Sequence, residues 1–524
     1  MTFSAFSRRA FLQAGAATGA LAFGIPGLSG TPFAAAAEPV PGGTLRVALN
    51  ITPAVLNPML TRLNSEYMLA EMLYSGLTTL APDMTAKPDL ATEWSANDDA
   101  TEWRFVLRDN AKFSDGSPVT PADVAASFKK LLDPETAAPG SRNLGPIDTV
   151  TVDGDNAVVF KTKSPYADLP VALSYPTAKV IPAKIAEGDF ESLAQTPLGS
   201  GPFRLVDFQP DQVAVLEKNP DYFIEGLPYL DKVEIHTYPD AAGAAAALLA
   251  GEVDLLNEVQ PTDFKRISEG AGIAGLRTPS GRFLDIVMNC QEEPFNNPKV
   301  REALSYAVDR EAMVELVAEG YGTPGNDTPV NSAYHYYSEA PLKTYDPEKA
   351  KALLAEAGHP DGLSLEIVAS EKPAYRSAMA VVLREMAKPA GFDISVKTMD
   401  HPTYLDQVWK KGKFYVGYYN MQPTEGTIFN LLFTSDASWN ETKWNNADFD
   451  KLVKEADQTT DDAVRTDLYG KAQEMMRTDV PCVVPCFFDL LGAQQEYVVG
   501  YFQHPRGANF ALHTVSLAEN APTR

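Results

Sequence analysis

Residues 87–131 read KPDLATEWSANDDATEWRFVLRDNAKFSDGSPVTPADVAASFKKL, and the stretch carries three local instructions in order. Glu102-Trp103-Arg104-Phe105-Val106-Leu107 alternates polar and apolar side chains, the period-two pattern of a half-buried strand. Asp115-Gly116-Ser117-Pro118 is turn chemistry. Thr120-Pro121-Ala122-Asp123 then opens a helix. Thr120 caps it, Pro121 suits the first helical position, and Asp123 stands at the capping-box position. The helix runs through VAASFKKLL and stops at Asp133-Pro134. A strand, a turn and a capped helix in one short stretch predict a mixed α/β chain.

The same grammar extends both ways. Strands are predicted at 43–49, 149–152, 157–161, 203–207, 213–217 and 231–236, and a helix over 63–73. Asp240 caps AAGAAAALLA, which Gly251 ends. Asn297-Pro298 and Asp346-Pro347 each open a helix, and Asp309 caps another that ends near Gly320. Helices follow at 374–388, 447–457 and 461–478, with strands at 363–369 and 393–398. The first half is strand-rich and the second alternates strand and helix. Two α/β lobes are expected, with a soft boundary near Thr278-Pro279-Ser280-Gly281.

The N-terminus has a different character. Ser7-Arg8-Arg9-Ala10-Phe11-Leu12-Gln13 precedes AGAATGALAFGIPGLSGTPFAAAA. This run is rich in Ala and Gly, broken by Pro26 and Pro32, and poorly suited to a membrane span. A charged start, a short apolar run and a small-residue end form a secretory leader. SRRAFLQ resembles the twin-arginine signal, a receptor-read address. Residues 1–37 are therefore expected to be removed near Ala37, outside the bacterial cytoplasm.

Composition narrows the function classes. The 524 residues carry 44 basic and 69 acidic side chains, a formal net charge of −25, so the surface repels nucleic acid and anionic lipid. The mature chain is too long for one core. No later segment reaches membrane-spanning length. The cysteines are Cys290, Cys482 and Cys486. An oxidising compartment allows one disulfide, but Cys482 and Cys486 lie in extended PCVVPCFFDL, roughly 13 Å apart at ~3.3 Å per residue. They pair only if a turn intervenes; buried free thiols or a bridge to Cys290 are the other readings.

Assembled chemistry is missing. There is no HExxH, Walker loop, CxxC or nucleophile elbow, and the six histidines show no metal-ligand spacing. Gly270-Ala271-Gly272-Ile273-Ala274-Gly275 has the G-x-G-x-x-G form but follows a helical pattern, not a strand. Ser127-Phe128-Lys129-Lys130 matches S-x-x-K on a helix without SDN or KTG partners. No cofactor, metal or catalytic residue is expected.

Together, long stretches resemble one family. Residues 87–131 resemble the signature region of the family 5 solute-binding proteins of ABC importers, matching at Leu90, Ala91, Trp94, Phe105, Leu107, Arg108, Lys112, Phe113, Asp115, Gly116, Asp123 and Val124. Gly199-Ser200-Gly201-Pro202-Phe203, Asn219-Pro220-Asp221-Tyr222-Phe223, YLDKV at 229–233 and LAGEVD at 249–254 also match. So do FNNPKVREALSYAVDREAMVE at 295–315 and YDPEKAKALLAEAG at 345–358.

The resemblance implies a periplasmic-binding-protein fold with an inserted subdomain and lobes that close by hinge motion. It implies residues 38–80, 195–280 and 490–524 in lobe I, 81–194 in the inserted subdomain, and 281–489 in lobe II. The expected function is capture of a solute, a di- or oligopeptide or amino-acid conjugate, for delivery to an inner-membrane permease with its ATPase subunits. The expected state is a monomer without membrane insertion. The alternative is an anionic polycarboxylate, such as a metal chelate or opine. An exported hydrolase and a periplasmic chaperone are the remote readings.

Candidate ligand residues follow from the same resemblance. Where peptide binders carry G-W-x-x-D, this chain reads Gly417-Tyr418-Tyr419-Asn420-Met421. Met421 replaces the aspartate that takes a peptide amine, and Glu425 could substitute only through a rearranged loop. Arg376 falls near an arginine that dipeptide binders aim at the ligand carboxylate. Arg142 resembles an arginine of nickel-chelate binders, and Arg62 lies where lobe I begins to line the cleft. Guanidinium forks suit carboxylates. Tyr418, Tyr419 and Trp439 are candidate apolar walls.

Overall fold

The computed structural model describes residues 39–507 and 509–522. The leader and its cleavage point lie outside them. The capped elements form where expected: helix Pro121–Leu132 starts behind Thr120, whose N–H and hydroxyl both donate to Asp123 Oδ2, at 2.8 and 2.6 Å. Asp240 accepts from Gly243 N–H at 2.8 Å and opens Ala241–Leu249.

One eleven-stranded sheet runs through the described residues. Its order is Phe392–Met399, Leu363–Ser370, Phe414–Tyr419, Ile273–Met288, Cys482–Gln495, Leu255–Leu256, Thr44–Leu49, Lys232–Thr237, Val213–Lys218 and Phe203–Gln209, with Gly322–Pro324 paired beside Cys482–Gln495. Two long antiparallel strands, of 16 and 14 residues, occupy its middle. One end joins the lobe I strands, the other the lobe II strands. The result is a two-lobed α/β fold.

The expected soft boundary at Thr278–Gly281 is a bulge inside a continuous strand. Thr278 pairs with Leu490 and Arg282 with Phe488, so three residues stand opposite Asp489 alone. Such a bulge bends the strand and re-aims its side chains. It is held from lobe II: Asn331 Nδ2 donates to Ser280 O at 2.8 Å. Gly281 lies so close that a Cβ there would meet the Tyr334 ring at 2.5 Å and Met421 at 2.8 Å.

The cores flank this crossing. Lobe I and the segment 81–194 share one apolar cluster, including Leu45, Val47, Phe203, Phe105, Phe128 and Phe160. The last three stack edge-to-face at 4.9–5.4 Å, welding helix Pro121–Leu132 to a separate four-stranded sheet. Lobe II holds a cluster around Ile286, Leu304, Leu383 and Val416, another around Phe283, Phe429, Tyr469 and Phe487, and a small one of Val287, Tyr404, Val408 and Tyr415. The three cysteines are free, and Cys482 and Cys486 are buried on one strand.

Candidate ligand cleft

A cavity of about 260 Å³ opens where the lobes meet beside the crossing strands. Lobe I supplies the end of Thr44–Leu49 and the first turn of helix Asn64–Leu73, with Asn64, Ser65 and Met68. Segment 256–261 and the returning residues Gln503 and Gly507 complete that side. Arg282, Tyr375 and Phe488 face them. This size sits near the low end of small-molecule sites, about 300–1,000 Å³.

Arg282 follows the bulge directly. Burial opposes its charge, but Tyr418, Glu258 and Tyr375 outweigh that and raise its pKa. Glu258, with its side chain 54 % exposed, stands 3.7 Å away. A mostly desolvated guanidinium with one loose, wet partner retains capacity for another carboxylate. Tyr375 stacks between Tyr418 and Phe488, at 5.6 and 4.9 Å. Arg506 precedes the cavity-lining Gly507 in the chain but is not in the wall itself; its guanidinium lies 4.9 Å from the Tyr175 ring.

The anticipated residues fall in several places. Arg62 is exposed and its N–H donates to Glu66 Oε2 at 2.7 Å. Arg142 is exposed on the short turn Ser141–Leu144. Neither lines the cavity. Arg376 is buried, with its guanidinium 5.1 Å from the Tyr404 ring and 5.6 Å from Tyr418. Tyr418 is half-buried and donates to Asn420 Oδ1 at 2.9 Å. Tyr419 is buried, donates to Glu441 and accepts from Trp409 Nε1 at 3.3 Å. Trp439 packs edge-on against Trp409 at 5.3 Å. Met421 is buried beside Tyr334 and Gly281.

Glu425 is buried in a different place. It accepts from Tyr336 N–H and lines a second cavity, of about 410 Å³, between segment 81–194 and lobe II. Trp94, Trp103, Asp168, Tyr336 and Arg465 share that cavity. Burial pushes the Glu425 carboxyl up to about 7. Among the described residues, no group of three or more His, Cys, Asp or Glu could hold a metal ion, and no helix is long and apolar enough to cross a membrane.

The sequence reading missed Arg282, Tyr375 and Phe488. A signal existed for the first: Arg282 is a charge set between a Pro-Ser-Gly break and the apolar run FLDIVM. Nothing local distinguishes Gln503 and Gly507, which reach the cavity only because the C-terminal segment returns to lobe I.

Comparison with known proteins agrees with this architecture. Residues 85–441 match the family described as bacterial extracellular solute-binding proteins, family 5 Middle. The glutathione-binding protein GsiB of Salmonella typhi is 27 % identical over 449 residues, 83 % of this chain and 87 % of that protein. HbpA2 from Haemophilus parasuis superposes with a TM-score of 0.81 at 25 % identity, covering 90 % of this chain and 99 % of that one. The binding protein AgaA of A.tumefacien R10, in complex with agropinic acid, gives 0.71 at 26 % identity, covering 91 % and 99 %. The chain belongs to the family 5 bacterial extracellular solute-binding proteins, the solute receptors of ABC importers.

Proposed function

We propose that this receptor captures a small solute carrying a carboxylate, a short peptide or an amino-acid conjugate, and delivers it to an inner-membrane ABC permease with its ATPase subunits. Arg282 carries the reading. It is a guanidinium at the cavity wall whose ion-pair partner, Glu258, is loose and largely exposed. The small cavity favours a solute of a few residues over a long peptide. The name of the GsiB relative, glutathione-binding, supports the same class.

An anionic polycarboxylate such as an opine or metal chelate is the second reading. The agropinic acid of AgaA favours it. In either case the protein acts as a periplasmic monomer without catalysis. It is exported by a twin-arginine leader cleaved near Ala37. Residues 38–80, 195–280 and 490–524 form lobe I, 81–194 its inserted subdomain, and 281–489 lobe II. Arg62 and Arg142 are assigned to contacts made as the lobes close.

Native mass spectrometry of mature protein from its own periplasm tests this. A family of added masses matching short peptides or conjugates supports the first reading, and a single polycarboxylate mass the second. No retained mass, with no calorimetric response to glutathione, dipeptides, opines or chelated nickel, overturns both.

A further inference from the structure

Lobe II buries more charge than its apolar surroundings tolerate alone. Asp285 and Glu441 are 2 % and 4 % exposed. Among the described residues, Asp285 Oδ1 and Glu441 Oε2 each lack a hydrogen-bond partner. Both converge on one point, where a Cβ on Gly417 would stand, 2.2 Å from the first and 3.1 Å from the second. Two ionised carboxylates in such a place repel each other, and each unpartnered oxygen loses its water without compensation.

The nearby cation does not quench them directly. Arg376 is 6 % exposed and its Nε and Nη1 have no hydrogen-bond partner. Among the described residues it makes no ion pair within 4.0 Å. It is close enough to act on both acids through space, and Tyr404 and Tyr418 wall its plane. Other groups facing the acids are Tyr404 from helix His401–Gln407, Tyr415 and Tyr419 from strand Phe414–Tyr419, and Cys482 from the crossing strand. Tyr419 donates to Glu441. His401 stacks on Tyr404 and feels Arg376.

We propose that Asp285 and Glu441 share a single proton between these two oxygens, and that Arg376 is the internal counter-ion of the resulting monoanion. One proton satisfies both orphaned oxygens at once and leaves the cluster neutral. Arg376 is then committed to the protein's own acids and is not free to take a ligand carboxylate. Burial first, then mutual repulsion, raises the Asp285 carboxyl well above its ordinary range. Burial pushes Glu441 up to about 7. The pair titrates as a unit.

Infrared spectroscopy reads the proton without any ligand. At pH 7 the wild type is expected to show a protonated-carboxyl C=O band that both Asp285→Asn and Glu441→Gln remove, because the remaining acid in each ionises against Arg376. Persistence of every such band in both variants overturns the shared proton. The counter-ion role is tested by the triple variant Asp285→Asn/Glu441→Gln/Arg376→Met, which removes the charges together. It is expected to fold and to keep the wild type's affinity, within threefold, for whichever of glutathione, dipeptides, opines or chelated nickel the wild type binds, whereas a ligand anchor would lose tenfold or more. If the wild type binds none of these, the infrared result still stands alone, and chemical denaturation decides Arg376. Arg376→Met alone should then be much less stable than the triple variant, and equal stability overturns the role.

Discussion

Arg465 and Asp168 stand 297 residues apart in the chain and form an ion pair with side chains only 7 % and 3 % exposed. Thr424 Oγ1 donates to the other Asp168 oxygen at 2.5 Å, and Ala167 N–H donates to Asp457 O at 2.9 Å. These contacts join segment 81–194 to lobe II, away from the cavity that Arg282 lines. They form a second junction between parts of the chain that the crossing strands already connect.

Removing one partner of this pair leaves a buried charge alone. Asp168→Asn is expected to cost about 3–5 kcal/mol of stability, read as a lower denaturation midpoint. Asp168→Asn with Arg465→Met should recover much of the loss, because no lone ion remains. A double variant no better than the single one would contradict the pairing.

Glu425, beside the same pair, sets a pH dependence. Its carboxyl rises to about 7 in the folded protein, against about 4.3 in an unfolded chain. The folded state therefore holds this proton more tightly. Its contribution is fully present below about pH 4.3 and is lost as pH rises towards 7. Glu425→Gln should flatten that part of the stability curve between pH 4.5 and 7.5, as measured by chemical denaturation. An unchanged curve would place the proton elsewhere.

At the cleft, Arg282→Ala is expected to weaken a carboxylate ligand by about 2–5 kcal/mol, mostly through faster dissociation. Arg62→Ala and Arg142→Ala, both at exposed positions, should cost less. Calorimetry on the three variants compares the pre-formed anchor with contacts added on closure. Equal losses would mean that Arg282 holds no special place.

Gly281→Ala probes the bulge. The added methyl must displace the Tyr334 ring or Met421, and overpacking of this kind costs about 1–3 kcal/mol. A fall in Tm accompanied by a changed radius of gyration in X-ray scattering would show that the bulge sets the angle between the lobes. A fall in Tm alone would confine it to local packing.

Much of the secondary structure was legible because its instructions are local. Thr120 to Asp123, Asp240 and Asn297-Pro298 each specify a helix start within four residues. The continuity of the eleven-stranded sheet was not legible. Pro279 and Gly281 read locally as a break, yet pairing with a strand some 200 residues later carries Ile273–Met288 through them. Pro485 likewise sits inside Cys482–Gln495, where its carbonyl accepts from Gly325 N–H at 2.9 Å. The site divides the same way. Arg376 is conspicuous in sequence, but its surroundings come from Asp285, Tyr404 and Glu441, which only the fold assembles.

The crossing strands also impose an order on the life of the chain. Cys482–Gln495 lies at the centre of the sheet, between Ile273–Met288 and Leu255–Leu256, yet a ribosome delivers it long after both. Until then Ile273–Met288 has an unpaired edge through the middle of both lobes, a surface prone to mispairing. Neither lobe can be finished while the other is being made. A nascent chain stopped before residue 482 would therefore be no half-receptor, because both lobes wait for Cys482–Gln495.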